Sequence, residues 1–361
     1  MKIAHLASWL FWRGAEQQVL YLAQFLQTQG YDSVVVGPAR GVLYQRAGEA
    51  GVSVMALNMR HDLDLAAAWR LGSWLRRQRI DILHMHDPHA HSIGLLACLM
   101  APSVRKVVAR RIDRRPRRNL LSHYKYTVPD IQYVTVSEAV RNVMLDSGIA
   151  ADTMRTVYSG VDLGRVDAVQ ETTSVFPAGS RVIGTVGHLD GYKGHQYLLQ
   201  AMHHVRRAEP GACLVIVGEG KLRADLEAEA TALGLRDAVC FTGFRRDALA
   251  LIRGFEIFAF PSTLEALGTS VLDAMALRKP VVATRTGGIP ESVQDGITGL
   301  LVPPGDARAL AEALCTILRQ PERGRAFGEA GRRRVEQFFT VERMGAATLE
   351  VYHDVLNHRP A

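Results

Sequence analysis

The chain has 361 residues, 48% of them hydrophobic and 22% charged, with 43 Lys+Arg against 36 Asp+Glu. That length exceeds one ordinary core, so two domains are expected, and the composition is that of a soluble globular protein. No run of eighteen apolar residues offers a membrane span. Cys98, Cys213, Cys240 and Cys315 are too scattered for a zinc site or a disulfide framework, and read as small core residues in a reducing cytoplasm.

The predicted elements begin at Met1-Lys2, where Ile3–Ala7 reads as a first buried strand. It is not read as a signal peptide, because His5 interrupts it and Arg13-Gly14-Ala15-Glu16 offers no small-residue cleavage site. An amphipathic run from Glu16 to Leu26 ends at Gly30. Strands at Ser33–Val36, Val52–Leu57, Ile82–Met85, Val104–Ala109 and Tyr133–Val136 then alternate with helical patterns at Leu43–Ala50, Leu65–Arg77 and Ile93–Met100. Ser137 is the expected N-cap of a further helix, with Glu138 in its first turn. Strands separated by helices, without hairpin turns, predict a parallel sheet covered on both faces. A Thr/Ser/Pro-rich stretch from Asp167 to Ser180 reads as a linker. The rhythm then restarts at Val182–Val186, Leu214–Val217, Val239–Phe241, Ile257–Phe260 and Val281–Ala283.

The expected architecture is α/β, with two doubly wound domains and a cleft between them. In such sheets ligands bind beyond the carboxyl ends of the strands, so the residues just after strands carry the chemistry. After Phe260 comes Pro261-Ser262-Thr263-Leu264-Glu265-Ala266-Leu267-Gly268-Thr269-Ser270-Val271-Leu272-Asp273. Two carboxylates bracket a strand-to-helix turn of Gly, Thr and Ser, whose backbone N–H groups and helix dipole suit an anion. Phosphate beside hydroxyl-binding carboxylates describes a sugar nucleotide. After Val186 comes Gly187-His188-Leu189-Asp190-Gly191-Tyr192-Lys193-Gly194, where Lys193 can place an ammonium on a diphosphate. After Ala283 comes Thr284-Arg285-Thr286-Gly287-Gly288-Ile289-Pro290-Glu291, which alone is ordinary loop-to-helix chemistry.

Together with Phe241-Thr242-Gly243-Phe244 and Gly299-Leu300-Leu301-Val302, these loops resemble the group 1 (family 4) retaining glycosyltransferases of GT-B fold. The likeness continues upstream in Gly14-Ala15-Glu16, Asp81-Ile82-Leu83-His84-Met85-His86, Val136-Ser137-Glu138 and Ser159-Gly160-Val161-Asp162, and so spans nearly the whole chain. The resemblance implies two Rossmann-like domains facing across a cleft. Residues 1–168 would bind the acceptor and residues 169–339 the nucleotide sugar, with a last helix, about 340–361, packing back on the first domain. It implies that Glu265 contacts donor-sugar hydroxyls, that Gly268 and Thr269 receive the distal phosphate, and that Asp273 holds the ribose. Lys193 would neutralise the diphosphate, Gly14 would let a helix N-terminus approach it, and His86 would lie beside the transferred sugar. The chain departs from the family at His188, where Arg is usual, at Asp273, where Glu is usual, and at Arg13, where a second Gly is common. A histidine offers one hydrogen bond where arginine offers a bidentate grip, and Asp273 is one methylene shorter, so the departures bear on donor affinity.

The implied reaction moves a hexosyl-type sugar from a nucleotide diphosphate to a hydroxyl of a glycan or glycolipid, in bacterial cell-surface polysaccharide or lipopolysaccharide synthesis. Leaving-group charge would fall on Lys193, His188 and the turn amides, and same-face attack would retain the anomeric configuration. No cofactor is expected. A metal is not expected either: in His84-Met85-His86-Asp87-Pro88-His89-Ala90-His91 the ligands span a strand end and a Pro-broken turn, with no cysteine or second acid. His84 reads as a buried core residue, and His89 and His91 as solvent-facing.

All the excess charge lies early, with 21 Lys+Arg against 14 Asp+Glu in residues 1–168 and 22 of each thereafter. It concentrates in Arg105, Lys106, Arg110, Arg111, Arg114, Arg115, Arg117 and Arg118. Arginines favour phosphates and carboxylates, so this segment is expected to meet an anionic acceptor or an anionic membrane, with Trp9, Phe11 and Trp12 helping at the interface. The expected location is cytoplasmic, peripheral on the inner face of the membrane. Two other classes fit less of the sequence. A sugar-nucleotide epimerase or phosphorylase on the same fold needs no polymer acceptor. A nucleic-acid binder would leave the glycosyltransferase-like loops unexplained, and no nucleic-acid partner is expected.

Overall fold

Short runs of Val, Ile, Leu and Ala buried on both faces become parallel strands, and each amphipathic run between them becomes the crossover that a parallel pair requires. The computed structural model describes residues 1–116, 120–170, 175–177 and 179–357, the side chains of 120–123 excepted. The chain forms two units, Met1–Gly160 joined by the C-terminal helix, and Val161–Thr340.

The first unit runs β1 (Lys2–Leu6), α1 (Gly14–Thr28), β2 (Asp32–Gly37), α2 (Val42–Glu49), β3 (Ser53–Ala56), α3 (Leu65–Arg77), β4 (Ile82–Met85), α4 (Pro88–Cys98), β5 (Arg105–Arg110), α5 (Leu120–Thr127), β6 (Ile131–Thr135), α6 (Glu138–Leu145) and β7 (Met154–Thr156). Its seven strands lie in the order β3-β2-β1-β4-β5-β6-β7. The second unit runs α7 (Leu163–Asp167), β8 (Arg181–Val186), α8 (His195–Ala208), β9 (Ala212–Val217), α9 (Arg223–Ala232), β10 (Val239–Gly243), α10 (Ala248–Arg253), β11 (Ile257–Phe260), α11 (Thr269–Ala276), β12 (Val281–Thr284), α12 (Ile289–Ser292), β13 (Gly299–Val302), α13 (Ala307–Arg319) and α14 (Pro321–Phe338). Its six strands lie in the order β10-β9-β8-β11-β12-β13. The last helix, α15 (Val341–Asn357), belongs to the first unit.

Every strand pairing is parallel, as the absence of hairpin turns predicts. The strand order reverses between β1 and β4 in the first sheet and between β8 and β11 in the second, and such reversals open the crevice in which ligands settle. The predicted α3 and the strands at Ile82–Met85 and Ile257–Phe260 occur with their predicted bounds. The edge strands β7 and β13 were not anticipated. Ser137 caps α6 by accepting from the Val140 amide at 3.2 Å.

The chain passes to the second unit at Gly160–Val161, earlier than position 168. The reason is α7, whose Asp167 takes a bidentate grip from the buried Arg332 of α14, at 2.7 and 2.9 Å. Arg332 also donates to Glu336 at 2.6 Å and to the Ala276 carbonyl at 3.0 Å. Of the linker predicted at Asp167–Ser180, residues 171–174 and 178 lie outside the described residues.

In the first unit, one face of the sheet buries Ile3, Ile82, Val107 and Val134 beneath Leu22 and Leu26 of α1 and Met344, Val351 and Tyr352 of α15. Gly345 lets α15 approach α1, since a Cβ there would stand 2.2 Å from the Phe25 ring. Gly48 of α2 faces open space by the same measure. Gly345→Ala is therefore expected to cost about 1–3 kcal/mol through overpacking. Gly48→Ala should gain about 0.5–1 kcal/mol through backbone entropy. Denaturant melts of the two variants check both signs.

Candidate active site

In the second unit, the loops after the adjacent strands β8 and β11 are drawn together. The Tyr192 carbonyl accepts from the Thr263 amide at 2.8 Å, from Ser262 Oγ at 3.0 Å and from Thr263 Oγ1 at 3.2 Å. Gly194, at φ +69°, allows this approach: a Cβ there would meet the Pro261 carbonyl oxygen at 2.0 Å. The result is an ion pair between residues far apart in sequence, Lys193 Nζ to Glu265 Oε2 at 2.5 Å, both largely buried. The ammonium also lies 5.3 Å from the Phe260 ring centroid and 5.6 Å from that of Tyr192. The loop after β12 closes on the same place. Thr286 Oγ1 donates to the Thr263 carbonyl at 3.1 Å, and the Gly288 amide donates to the Glu265 carbonyl at 3.2 Å.

Gly268, left-handed at φ +82°, is the N-cap of α11, and no side chain caps that end. The first amides of α11, from Thr269, are therefore available to an anion close to Glu265. Asp273 follows one turn later on the same helix. Burial raises its pKa to about 6, against a smaller opposing pull from Arg165. His188 sets Nδ1 3.1 Å from Asp190 Oδ2. His195, the first residue of α8, was not anticipated from sequence. It is buried, and burial first, then Lys193 and His188, push its pKa down to about 4. An unpaired polar side chain at the start of a helix after a Gly-rich loop was the signal for it.

The first unit has its own polar centre at the β1–β4 switch. His5 and His84 are register partners on neighbouring strands, and His86 follows two residues later on the same face. His5 Nδ1 lies 3.1 Å from His86 Nε2, and His84 Nδ1 lies 2.6 Å from the hydroxyl of the fully buried Tyr352 on α15. Burial holds all three imidazoles neutral: His5 falls to about 3, and His84 and His86 fall well below the ordinary range, helped by one another and by Arg111. His86 is thus a neutral hydrogen-bonding group, with Nδ1 buried and unpaired. Ring nitrogens of the three histidines, one each, lie within 4.8 Å of one another, close enough to converge on a d-block cation. The neighbouring Arg111 cation opposes such an ion. The nearby carboxylate of Asp87 is committed elsewhere, to Ser8 N and Oγ at 2.7 Å and to the amides of His89 and Ala90 that open α4. Gly14 opens α1, where Glu16 accepts from the Arg13 amide at 2.9 Å.

Two family models match this chain: Glycosyl transferases group 1, over residues 169–334, and Glycosyltransferase Family 4, over residues 12–165. The chain belongs to the group 1, family 4 glycosyltransferases. It is a transferase enzyme of GT-B fold. It is 30% identical over 315 residues to a D-inositol 3-phosphate glycosyltransferase of Saccharomonospora viridis, covering 82% of this chain and 70% of that one. It is 27% identical over 341 residues to the lipopolysaccharide core biosynthesis glycosyltransferase LpsE of Rhizobium meliloti, covering 94% and 95% of the two chains. Among solved structures, Anabaena HepE in complex with UDP and glucose superposes with a TM-score of 0.87 at 21% identity, over 98% of this chain and 99% of that one.

In this glycosyltransferase the basic segment does not form one solvent-facing patch. Arg110 is buried, with Nη1 donating to Tyr126 Oη at 2.9 Å and Nη2 to the Arg114 carbonyl. Arg111 turns inward to Ser159 Oγ at 3.2 Å, and burial lowers its pKa to about 10. Arg115 is exposed and pairs with Asp146 at 3.3 Å, and Arg114 is exposed. Arg117 and Arg118 lie outside the described residues. His91 is also not solvent-facing: α4 turns it inward, where it packs at 5.3 Å from the Tyr126 ring and 6.1 Å from that of Tyr133. His89 is partly exposed, 3.6 Å from Asp62.

The raised pKa of Asp273 makes a signed prediction. An acid whose pKa is higher when folded stabilises the fold below its unfolded pKa, and that contribution is lost as pH rises through the folded value. Between about pH 4 and 6 this glycosyltransferase therefore loses stability at Asp273. The asparagine variant D273N should melt higher than the parent at pH 7.5, by roughly 1–2 kcal/mol after solvent screening, with the gap closing by pH 4. A gap unchanged with pH would remove Asp273 as its source.

Proposed function

We propose that this enzyme transfers a hexosyl-type sugar from a nucleoside-diphosphate donor to a hydroxyl of a glycan or lipid-linked anionic acceptor, with retention of configuration, in cell-surface glycan assembly. The observation that carries this reading is the Lys193–Glu265 pair beside the uncapped start of α11. A cation, free amides and a carboxylate within one loop cluster match a diphosphate joined to a hydroxylated ring. HepE, whose crystals hold UDP and glucose, and LpsE, named for lipopolysaccharide core synthesis, support the donor and acceptor classes.

Breaking the anomeric bond places negative charge on the departing phosphate and positive charge on the sugar. Lys193 and the amides of Gly268 and Thr269 meet the first, and need no reorganisation as it develops. Glu265, pinned by Lys193 until donor arrives, then accepts from sugar hydroxyls. Asp273 accepts from the ribose, and His188 donates where a bidentate arginine is usual. His86, neutral, bonds to the sugar or acceptor without adding charge. The acceptor attacks from the face the leaving group vacates, and the departing phosphate takes its proton. The amides at the start of α1, beginning at Gly14, offer N–H donors to an anion. The enzyme acts at the cytoplasmic membrane face, where lipid-linked acceptors lie. No helix among the described residues is long and apolar enough to cross the bilayer.

Thermal-shift screening against UDP-, GDP- and ADP-linked sugars should give one class that raises Tm. Transfer measured with that donor should fall at least about a hundredfold in Glu265→Ala and in Lys193→Ala, the size of one lost preorganised charge contact. Full activity in Glu265→Ala would overturn the site. Because Lys193 and backbone amides carry the phosphate charge, activity should survive a chelator, and product analysis should show glycoside rather than epimerised donor or free sugar phosphate.

A further inference from the structure

The reading of membrane-face action requires a surface that meets the bilayer, and the structure offers one away from the basic segment around Arg110. Helix α3 buries Ala67, Ala68, Leu71, Gly72 and Leu75 and turns the opposite face to solvent. On that face Leu65 is 69% and Trp69 61% exposed, and Leu63, just before the helix, is 61% exposed. Leu99, 77% exposed, follows α4, which lies against α3: a Cβ on Gly72 would stand 2.7 Å from the Ala97 carbonyl oxygen. Four of the ten large apolar side chains exposed among the described residues thus belong to this α3–α4 neighbourhood.

The charges around them are mostly positive. Residues 58–79 contain five arginines, Arg60, Arg70, Arg76, Arg77 and Arg79, against Asp62 and Asp64. All five arginines are exposed. Asp64 caps α3 through the Ala67 amide at 3.0 Å, and Asp62, exposed, lies 3.6 Å from His89, so the arginines outnumber the acids five to two. At 100° per residue, Leu65 and Trp69 stand together on the solvent face, while Arg70 and Arg77 flank them on one side and Arg76 continues their line. Apolar side chains including a tryptophan, set among arginines on one exposed helix face, match the chemistry of an anionic bilayer surface. The rings and leucines enter the headgroup boundary while the guanidiniums pair with lipid phosphates.

We propose that the solvent face of α3, with Leu63, Leu65, Trp69, Arg70, Arg76 and Arg77, is the surface by which this enzyme docks on anionic phospholipid. The proposal rests on the membrane-face reading above, and it specifies that surface where the sequence pointed to Arg110–Arg118. Neither the Lys193–Glu265 cluster nor the histidine centre takes part, so docking and transfer can be separated.

The test is co-sedimentation of the full chain with vesicles of phosphatidylethanolamine and phosphatidylglycerol, and of phosphatidylcholine alone. Wild type should bind the anionic vesicles, more weakly as salt rises, and ignore the zwitterionic ones. The triple variant R70E/R76E/R77E should lower partition about a hundredfold or more, about fivefold for each positive charge removed. The triple variant L63S/L65S/W69S should abolish it. Both should keep the wild-type melting temperature and transfer to a soluble acceptor. The blue shift of tryptophan emission on anionic vesicles should vanish in Trp69→Phe. Wild-type partition by both triple variants would overturn the α3 assignment while leaving membrane contact standing. Failure of wild type to bind anionic vesicles would overturn both. Vesicle-independent self-association through this face, lost in L63S/L65S/W69S, would overturn the lipid proposal in favour of a protein contact.

Discussion

The approach of the loop after β8 to the loop after β11 is the constraint on which the second unit's chemistry depends. Parallel pairing sets the two strands side by side at the point where strand order reverses, so their following loops emerge as neighbours. A glycine without a Cβ then lets one backbone touch the other at Pro261, and the Tyr192 carbonyl collects three donors from the opposite loop. Only with these in place do Lys193 and Glu265 meet at 2.5 Å. Each neutralises the other in surroundings that would penalise either alone.

The first unit solves a different problem at its own reversal of strand order. Three imidazoles are buried side by side, and burial keeps them uncharged. That state removes the repulsion which three cations would create, and it leaves His86 Nδ1 free to bond. The cluster is completed from the far end of the chain, because Tyr352 on α15 satisfies His84 Nδ1. The C-terminal helix therefore does more than cover Ile3 and Val107: its hydroxyl sets the tautomer and orientation of a histidine two residues from the functional one.

Much of this was legible in the residues. Eleven strands were placed by short apolar runs, and Gly14, His86, Lys193, Glu265 and Gly268 lie in or at the end of segments that follow strands. The two missed strands, β7 and β13, lie at sheet edges: β7 (Met154–Thr156) is half-exposed and lacks an apolar run, and β13 offers only the three-residue run Leu300–Val302. His91 was misjudged because a polar side chain at helical spacing carries no sign of which way its helix faces. The inward turn of Arg110 and Arg111 was hidden for a related reason. A count of arginines registers charge, whereas Arg110 and Arg111 spend theirs on Tyr126, the Arg114 carbonyl and Ser159 inside the fold.

By itself the sequence determined the fold class, the family and the glycine-rich loops that follow the strands, since periodicity and glycine-rich turns are local properties read along one chain. Tertiary structure alone decided which side chains meet. It paired Lys193 with Glu265, gathered His5 with His84 and His86, and brought Tyr352 to them. It raised the Asp273 pKa by burial, and it left Trp69 outside while turning Arg110 in. Each of these depends on strand register, on how closely two backbones can approach, or on the dielectric around a group. Those quantities exist only once distant segments have packed together.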